Sequence, residues 1–99
     1  MGHEGEIKAK WDDAIKNHYV YLHYTLDTDT LFYVGIGTHD LAKGHNRYYR
    51  AYQYKVGKRN YLWIRFYNKH GVRVEIYKDN ITEKEAKKLR YILSVNTVE

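Results

Sequence analysis

Residues 18–37 constrain the fold more than any other stretch, because two strand-like runs flank a polar turn within them. The runs 19–24 and 31–36 are rich in aromatic and β-branched residues, which suit a pleated, half-buried surface. Between them, the Asp-Thr-Asp-Thr cluster at 27–30 is typical of a turn. This stretch therefore predicts a β-hairpin.

Side-chain alternation sorts the predicted hairpin into two faces. The face expected to point to the core carries apolar residues, namely Val20, Leu22, Phe32, Val34 and Ile36. The opposite face carries Tyr21 and Tyr33, with Gly35 beside them. The hairpin thus predicts two tyrosines together on one face, next to a residue that has no side chain.

The whole pattern predicts an α/β fold, a three-stranded antiparallel sheet flanked by helices. The third strand is expected at 72–77, where Val72, Val74 and Ile76 would face the core. Amphipathic or capped segments predict helices at about 6–17, 47–56, 60–70 and 83–94.

Several residues mark where the predicted helices begin and end. Asn60 is expected to cap the helix that Gly71 stops, and Leu62, Trp63 and Phe66 give that helix a buried stripe. In the last helix, Thr82 and Glu85 form a capping box preceded by an apolar staple from Ile81 to Ala86. The buried side of that helix is predicted to be Ala86, Leu89, Ile92 and Leu93.

The length of 99 residues favours a single domain over 1–99, with the 6–17 helix as an accessory element. The sequence has no cysteine, so it offers neither a disulfide nor a thiolate metal site. It contains no secretory signal pattern and no apolar run long enough to span a bilayer. These features predict a cytoplasmic protein with no membrane partner.

Positive charge is concentrated in one part of the chain. Residues 43–73 contain nine Lys or Arg and no Asp or Glu, together with six tyrosines and a tryptophan. Basic residues interleaved with aromatic ones can bind phosphates and pack on sugars and bases, so the stretch predicts a nucleic-acid partner. His39, Asp40 and His45 match no metal-ligand spacing, and a structural or DNA-contacting role is favoured for them.

The chain resembles the GIY-YIG family of small nuclease domains. Tyr19-Val-Tyr21 and Tyr33-Val-Gly35 are similar to the two halves of the family motif. Arg50, the Arg59-Asn60-x-x-Trp63 pattern and the 82–93 helix follow in the order found in phage-type members. The match covers about residues 18–94, and it implies a DNA endonuclease, of the phage or homing class, that uses Mg²⁺ or another divalent cation.

The resemblance also implies a site. Tyr21 and Tyr33 would flank the attacking water, one of them as general base, with Arg50 as the cation that favours the phenolate and holds the phosphate. His45 is a further catalytic candidate. The expected DNA contacts are Gly35, Lys43, Arg47, Arg59 and Asn60.

The chain differs from the family pattern at the position of the expected metal ligand. The family's glutamate follows the Glu-Ala pair by four residues, and Arg90 stands there in this sequence, so no metal ligand is assigned. Glu75 and Glu83 are alternative carboxylates. Arg90 is expected beside the core stripe, converging with Arg50 on the tyrosines, in which case Arg90→Glu would create metal-dependent cutting.

Three functions stay open at this stage. The first is an endonuclease whose cleavage is impaired by Arg90, and the second is a binding module on the same fold that does not cut. The third is a structural protein with a tyrosine-rich core, which the acid-free basic stretch disfavours. The amino-acid sequence does not specify the target DNA sequence. It does not specify the oligomeric state either, and a dimer is one of the states left open.

Overall fold

The structure is a computed structural model that describes residues 15–39, 48–53, 59–95 and 97. Its elements are the strands β1 and β2, the helix α1, the strand β3 and the helix α2, in that order along the chain. Their bounds are His18–Tyr24, Leu31–Thr38, Tyr61–His70, Arg73–Ile81 and Glu83–Ser94. The predicted α/β class is confirmed. Of the predicted 6–17 helix, residues 6–14 lie outside the described residues, and residues 15–17 are not helical.

The three strands form one antiparallel sheet in the order β2-β1-β3, so β1 is central. Tyr21 of β1 is paired with Gly35 of β2 on one side and with Ile76 of β3 on the other. The third strand is longer than the predicted 72–77 and runs to Ile81, with two register shifts against β1. Register shifts of this kind are not signalled by local alternation alone.

One face of the sheet, here called the aliphatic face, carries Val20 and Leu22 of β1 with Val34 of β2. The helix α2 packs on this face through Ala86, which is fully buried, and through the half-buried Leu89 and Leu93. Ile92, predicted on the buried side, is 48 % exposed. The apolar stripe of α2 is therefore wider than the part of the helix that the sheet covers, and Ile92 lies at its exposed edge.

The opposite face, here called the tyrosine face, carries Tyr19, Tyr21 and His23 of β1. The helix α1 packs on this side, where its Trp63 ring lies 5.6 Å from that of His23. Val74 and Ile76 of β3 are partly buried on the tyrosine face, whereas the predicted core face was that of Val20 and Leu22. Val72 lies before the first residue of β3.

Phe32 was predicted on the same face as Val34, and that placement is wrong. A register shift pairs His23 with Tyr33 but Tyr24 with Leu31, which leaves Phe32 as the extra residue. The bulge turns the Phe32 ring toward α1, where it stacks on Phe66 at 5.1 Å. Leu31 takes the place on the aliphatic face.

The helix ends follow the sequence signals. The Asn60 side chain accepts a hydrogen bond from the Trp63 backbone N–H at 2.8 Å, and Gly71 ends α1 with φ +72°. The Thr82 hydroxyl accepts from the Glu85 N–H at 3.1 Å, and Ile81 and Ala86 are buried together as the predicted staple. Leu62, predicted in the buried stripe of α1, is 48 % exposed.

In the described part of the chain, neither helix is long and apolar enough to cross a membrane.

Candidate functional site

The tyrosine face is built on two pairs of a tyrosine and a glycine across β1 and β2. Tyr21 is paired with Gly35 and Tyr19 with Gly37. A Cβ at Gly35 would lie 2.3 Å from Cζ of Tyr21, and one at Gly37 would lie 2.0 Å from Cζ of Tyr19. Gly35, which was predicted as a DNA contact, leaves a gap in the side chains of β2, and the phenol ring of Tyr21 fills that gap.

Arg59 is the residue that organises this face. It lies just before the N-cap of α1, and its side chain is only 8 % exposed. Its Nη1 donates to the Tyr21 hydroxyl at 2.9 Å, while Nε donates to the Gln53 carbonyl at 2.9 Å and Nη2 to the Arg50 carbonyl at 2.5 Å. The guanidinium thus ties the 48–53 segment to the central strand.

The same guanidinium is enclosed by aromatic rings. Its Cζ lies 5.6 Å from the ring centre of Tyr21 and 5.3 Å from those of Tyr33 and Trp63. Such contacts favour a cation, but they do not neutralise it. Among the described residues, no carboxylate pairs with Arg59, so this nearly buried positive charge lacks a counter-ion within that part of the chain.

The Tyr21 hydroxyl is held in its protonated form. Burial raises the pKa of Tyr21 to about 12, and the neighbouring Tyr33 adds to the increase, while Arg59 opposes it. Desolvation of the phenolate outweighs the attraction of the guanidinium. At neutral pH, Tyr21 is a hydrogen-bonding phenol and is not ready to accept a proton.

His23 is locked as a neutral imidazole beside Tyr21. Its Nε2–H donates to the Ala51 carbonyl at 2.7 Å, and its Nδ1 accepts from the Trp63 indole N–H at 2.9 Å. Burial lowers the pKa of His23 to about 4, against the smaller opposing effect of the Ala51 carbonyl. With both nitrogens engaged, His23 is a structural group that joins three segments.

A second polar cluster lies at the Tyr19 end of the face. His39 donates its Nε2–H to Asp79 Oδ1 at 2.7 Å, and the Tyr48 hydroxyl donates to Asp79 Oδ2 at 2.7 Å. The His39 ring stacks on Tyr19 at 4.8 Å. These contacts give His39 a structural role, one of the two roles, structural or DNA-contacting, that the sequence favoured over a metal site.

The residues predicted for the site fall into three groups. The structure brings Tyr21 and Tyr33 together, with ring centres 6.1 Å apart. Arg59, predicted as a DNA contact, occupies the position beside Tyr21 that was expected for Arg50. Lys43, His45 and Arg47 lie outside the described residues.

The side chains of Arg50 and Asn60 both make contacts within the protein. The Arg50 side chain is half-buried and bonds through Nη1 to the Gln53 side chain, and Arg50 influences the pKa of Tyr21 less than Arg59 does. The Asn60 side chain is used by the helix cap. The predicted 47–56 helix is described only at 48–53, where Tyr52 N–H bonds to the Tyr48 carbonyl at 3.3 Å.

Sequence reasoning missed the role of Arg59, although one signal pointed to it. Arg59 directly precedes the cap of α1, and the third residue of α1, Trp63, is buried. The backbone of Arg59 is therefore fixed against the core. Such an arginine is placed to reach the face on which the helix packs.

The described residues do not fit a divalent cation at the tyrosines. The two oxygens of Asp79 are engaged by His39, Tyr48 and the Asn80 backbone N–H. Glu75 is paired with Leu22, so it belongs to the aliphatic face, and Glu83 lies 3.3 Å from Lys87 on α2. Within the described ranges, no group of three or more His, Cys, Asp or Glu could hold a metal ion.

The expected convergence of Arg90 with the tyrosines is wrong. Arg90 lies on α2, and α2 packs on the aliphatic face, behind the sheet as seen from Tyr21. The convergence was inferred from the helical angle of Arg90 alone, and that angle does not say on which face of the sheet the helix packs.

No protein-family model matches the chain, and neither a curated protein nor a solved structure does. The GIY-YIG resemblance therefore continues to rest on the motif residues themselves.

Proposed function

We propose that this chain binds DNA through its tyrosine face, as a domain of the GIY-YIG type, with Arg59 as the centre of a phosphate-binding site. The observation that carries the proposal is that Arg59, a residue only 8 % exposed, has no carboxylate partner for its guanidinium among the described residues. A phosphodiester would supply the missing negative charge.

Three further features support an anionic polymer as the ligand. Arg59 belongs to the stretch 43–73, in which nine basic residues occur without a single acidic one. Three of the five N–H groups of its guanidinium are used within the protein, so donors remain for a ligand. Tyr33, half-buried at the edge of the guanidinium, offers a ring on which a sugar or base can pack.

Cleavage of DNA, with Tyr21 or Tyr33 acting on water and a divalent ion assisting, is the second candidate. It is favoured by the hydrogen bond from Arg59 to the Tyr21 hydroxyl, which would stabilise a phenolate. It is disfavoured by the raised pKa of Tyr21 and by the engaged carboxylate of Asp79. Binding without efficient cutting is therefore the function that the geometry supports best.

The experiment follows the Nε–H signals of two arginines by ¹⁵N NMR while a short DNA duplex is added. Both groups are hydrogen-bonded in the free protein, Arg59 to the Gln53 carbonyl and Arg73 to Asp29 at 2.9 Å. We expect the Arg59 signal to shift with DNA concentration while the Arg73 signal, which is already paired with a carboxylate, stays in place.

Equal shifts of the two signals would indicate only a diffuse charge effect and would contradict the proposal. An unchanged Arg59 signal at saturating DNA would contradict it as well. Nicking of supercoiled plasmid with Mg²⁺ by the same preparation tests the second candidate, for which robust cutting would restore the endonuclease interpretation.

A further inference from the structure

The outer side of α1 carries an open groove of about 260 Å³. Its lining residues are Leu62, Arg65, Phe66, Lys69 and His70. The floor is apolar and the rim is cationic, a combination that suits a ligand with both apolar and anionic parts.

The fold does not account for the rim of this groove. The inner side of α1 packs through Trp63, Phe66 and Tyr67, with the Trp63 and Tyr67 rings stacked at 5.2 Å and Phe66 stacked on Phe32. Leu62 remains 48 % exposed, and Arg65 and Lys69 are exposed to solvent. An exposed leucine next to two exposed cations contributes little to the stability of the helix.

The charge around the groove is strongly one-sided. The sequence of α1 contains no acidic residue, and the Arg65 guanidinium is held 5.7 Å above the Tyr61 ring. Among the described residues, Asp27 is an acidic partner at the end of the groove, where it accepts from His70 at 2.9 Å. Arg65 and Lys69 are the exposed cations of the rim.

We propose that this groove is a second DNA contact, in which Arg65 and Lys69 bind backbone phosphates and Leu62 and Phe66 pack on deoxyribose. The inference rests on the proposed function and extends it along α1. Arg59 precedes the first turn of α1, and the groove continues toward its last turn, so one helix joins the two contacts. An acidic peptide would fit the rim charges too, but the acid-free stretch that includes both sites favours DNA.

The test compares two double variants that remove the same charge. In Arg65→Ala/Lys69→Ala the groove loses its rim, and in Lys84→Ala/Lys88→Ala two exposed lysines at the same spacing are removed from α2 on the opposite side of the sheet. DNA affinity is measured at several salt concentrations for both. We expect the groove variant to lower the log–log salt slope by about 0.9 for each phosphate that the protein no longer neutralises, and the α2 variant to keep the original slope.

A third variant separates the apolar floor from the charges. Leu62→Ala should weaken DNA binding without changing the salt slope, since it removes no cation. Equal slopes for the two double variants and the original chain would overturn the inference, as would an equal decrease in both variants. Binding of a poly-glutamate peptide that disappears with Arg65 and Lys69, while DNA binding is unchanged, would reassign the groove to an acidic protein partner.

The outcomes also separate this inference from the proposal on which it rests. If the original chain binds DNA, the Arg59 signal responds and the groove variant keeps the original salt slope, the groove does not bind DNA and the proposed function stands. If the original chain does not bind DNA at low salt, both fail together.

Discussion

The ring of Tyr21 lies across β2 in the space where Gly35 has no side chain, with Cζ 2.3 Å from the position of a Cβ at residue 35. The pairing holds the phenol flat over the hairpin and directs its hydroxyl to Arg59. Tyr19 and Gly37 repeat the arrangement two residues further along the sheet. The second half of the GIY-YIG-like motif is thus explained here by packing within the hairpin.

Gly35→Ala is expected to destabilise the protein by about 1–3 kcal/mol, because the added methyl group overlaps the Tyr21 ring and forces it aside. Chemical denaturation of the variant and the original chain gives the difference in unfolding free energy. The φ of Gly35 is not in the left-handed region, so steric overlap and not backbone conformation is the cause.

The matched control is the double variant Gly35→Ala/Tyr21→Ala, in which the ring that would clash is absent. We expect the cost of Gly35→Ala to disappear in the Tyr21→Ala background, giving strong non-additivity. Additive effects of the two substitutions would show that Gly35 is not needed for the Tyr21 ring.

Sequence reasoning succeeded where structure depends on neighbouring residues. The hairpin, the caps at Asn60 and Thr82, and the stop at Gly71 follow from local patterns, and each lies where it was predicted. The placement of Tyr21 and Tyr33 on the same face of the sheet follows from side-chain alternation in the same way.

Sequence reasoning failed where the structure depends on contacts between segments that are distant in the sequence. The bulge at Phe32 depends on how β2 packs against α1, which two-residue alternation cannot reveal. The bond from Arg59 to Tyr21 joins residues 38 positions apart, so residue type alone could not choose Arg59 over Arg50. The same limit explains why the side of the sheet that α2 covers, and with it the position of Arg90, was misjudged.

Stability is expected to fall as the pH falls from about 6.5 to about 4, because His23 is neutral in the fold and its pKa is lowered from 6.5 to about 4. The unfolded chain binds a proton in this range and the folded chain does not, so protons favour unfolding. The decrease attributable to His23 is about 3 kcal/mol, because the pKa of His23 differs between the unfolded and the folded chain. Denaturation at a series of pH values measures it.

His23→Phe provides the comparison, since it removes the titrating group while keeping a ring. The variant should be less stable at neutral pH, because the Trp63 N–H and the Ala51 carbonyl lose their partner. Its stability should vary less between pH 6.5 and 4, and contributions from His18 and Asp27 cancel because both proteins contain them. Parallel pH profiles would argue against a buried neutral His23.

Arg90→Glu is expected to leave Mg²⁺-dependent plasmid nicking unchanged. The substituted carboxylate would lie on α2, which packs on the aliphatic face, while Tyr21 and Tyr33 are on the other side of the sheet. Nicking assays with and without Mg²⁺ compare the two proteins. A gain of metal-dependent cutting in the variant would mean that α2 reaches the tyrosine face in solution.

The most direct test of the account is the salt dependence of DNA binding by the unmodified chain. If Arg59, Arg65 and Lys69 bind phosphates, the logarithm of the binding constant should fall linearly with the logarithm of salt concentration, by about 0.9 for each phosphate neutralised on duplex DNA. A steep linear decrease is the predicted result. An affinity that does not change with salt, or no binding at low salt, would contradict it.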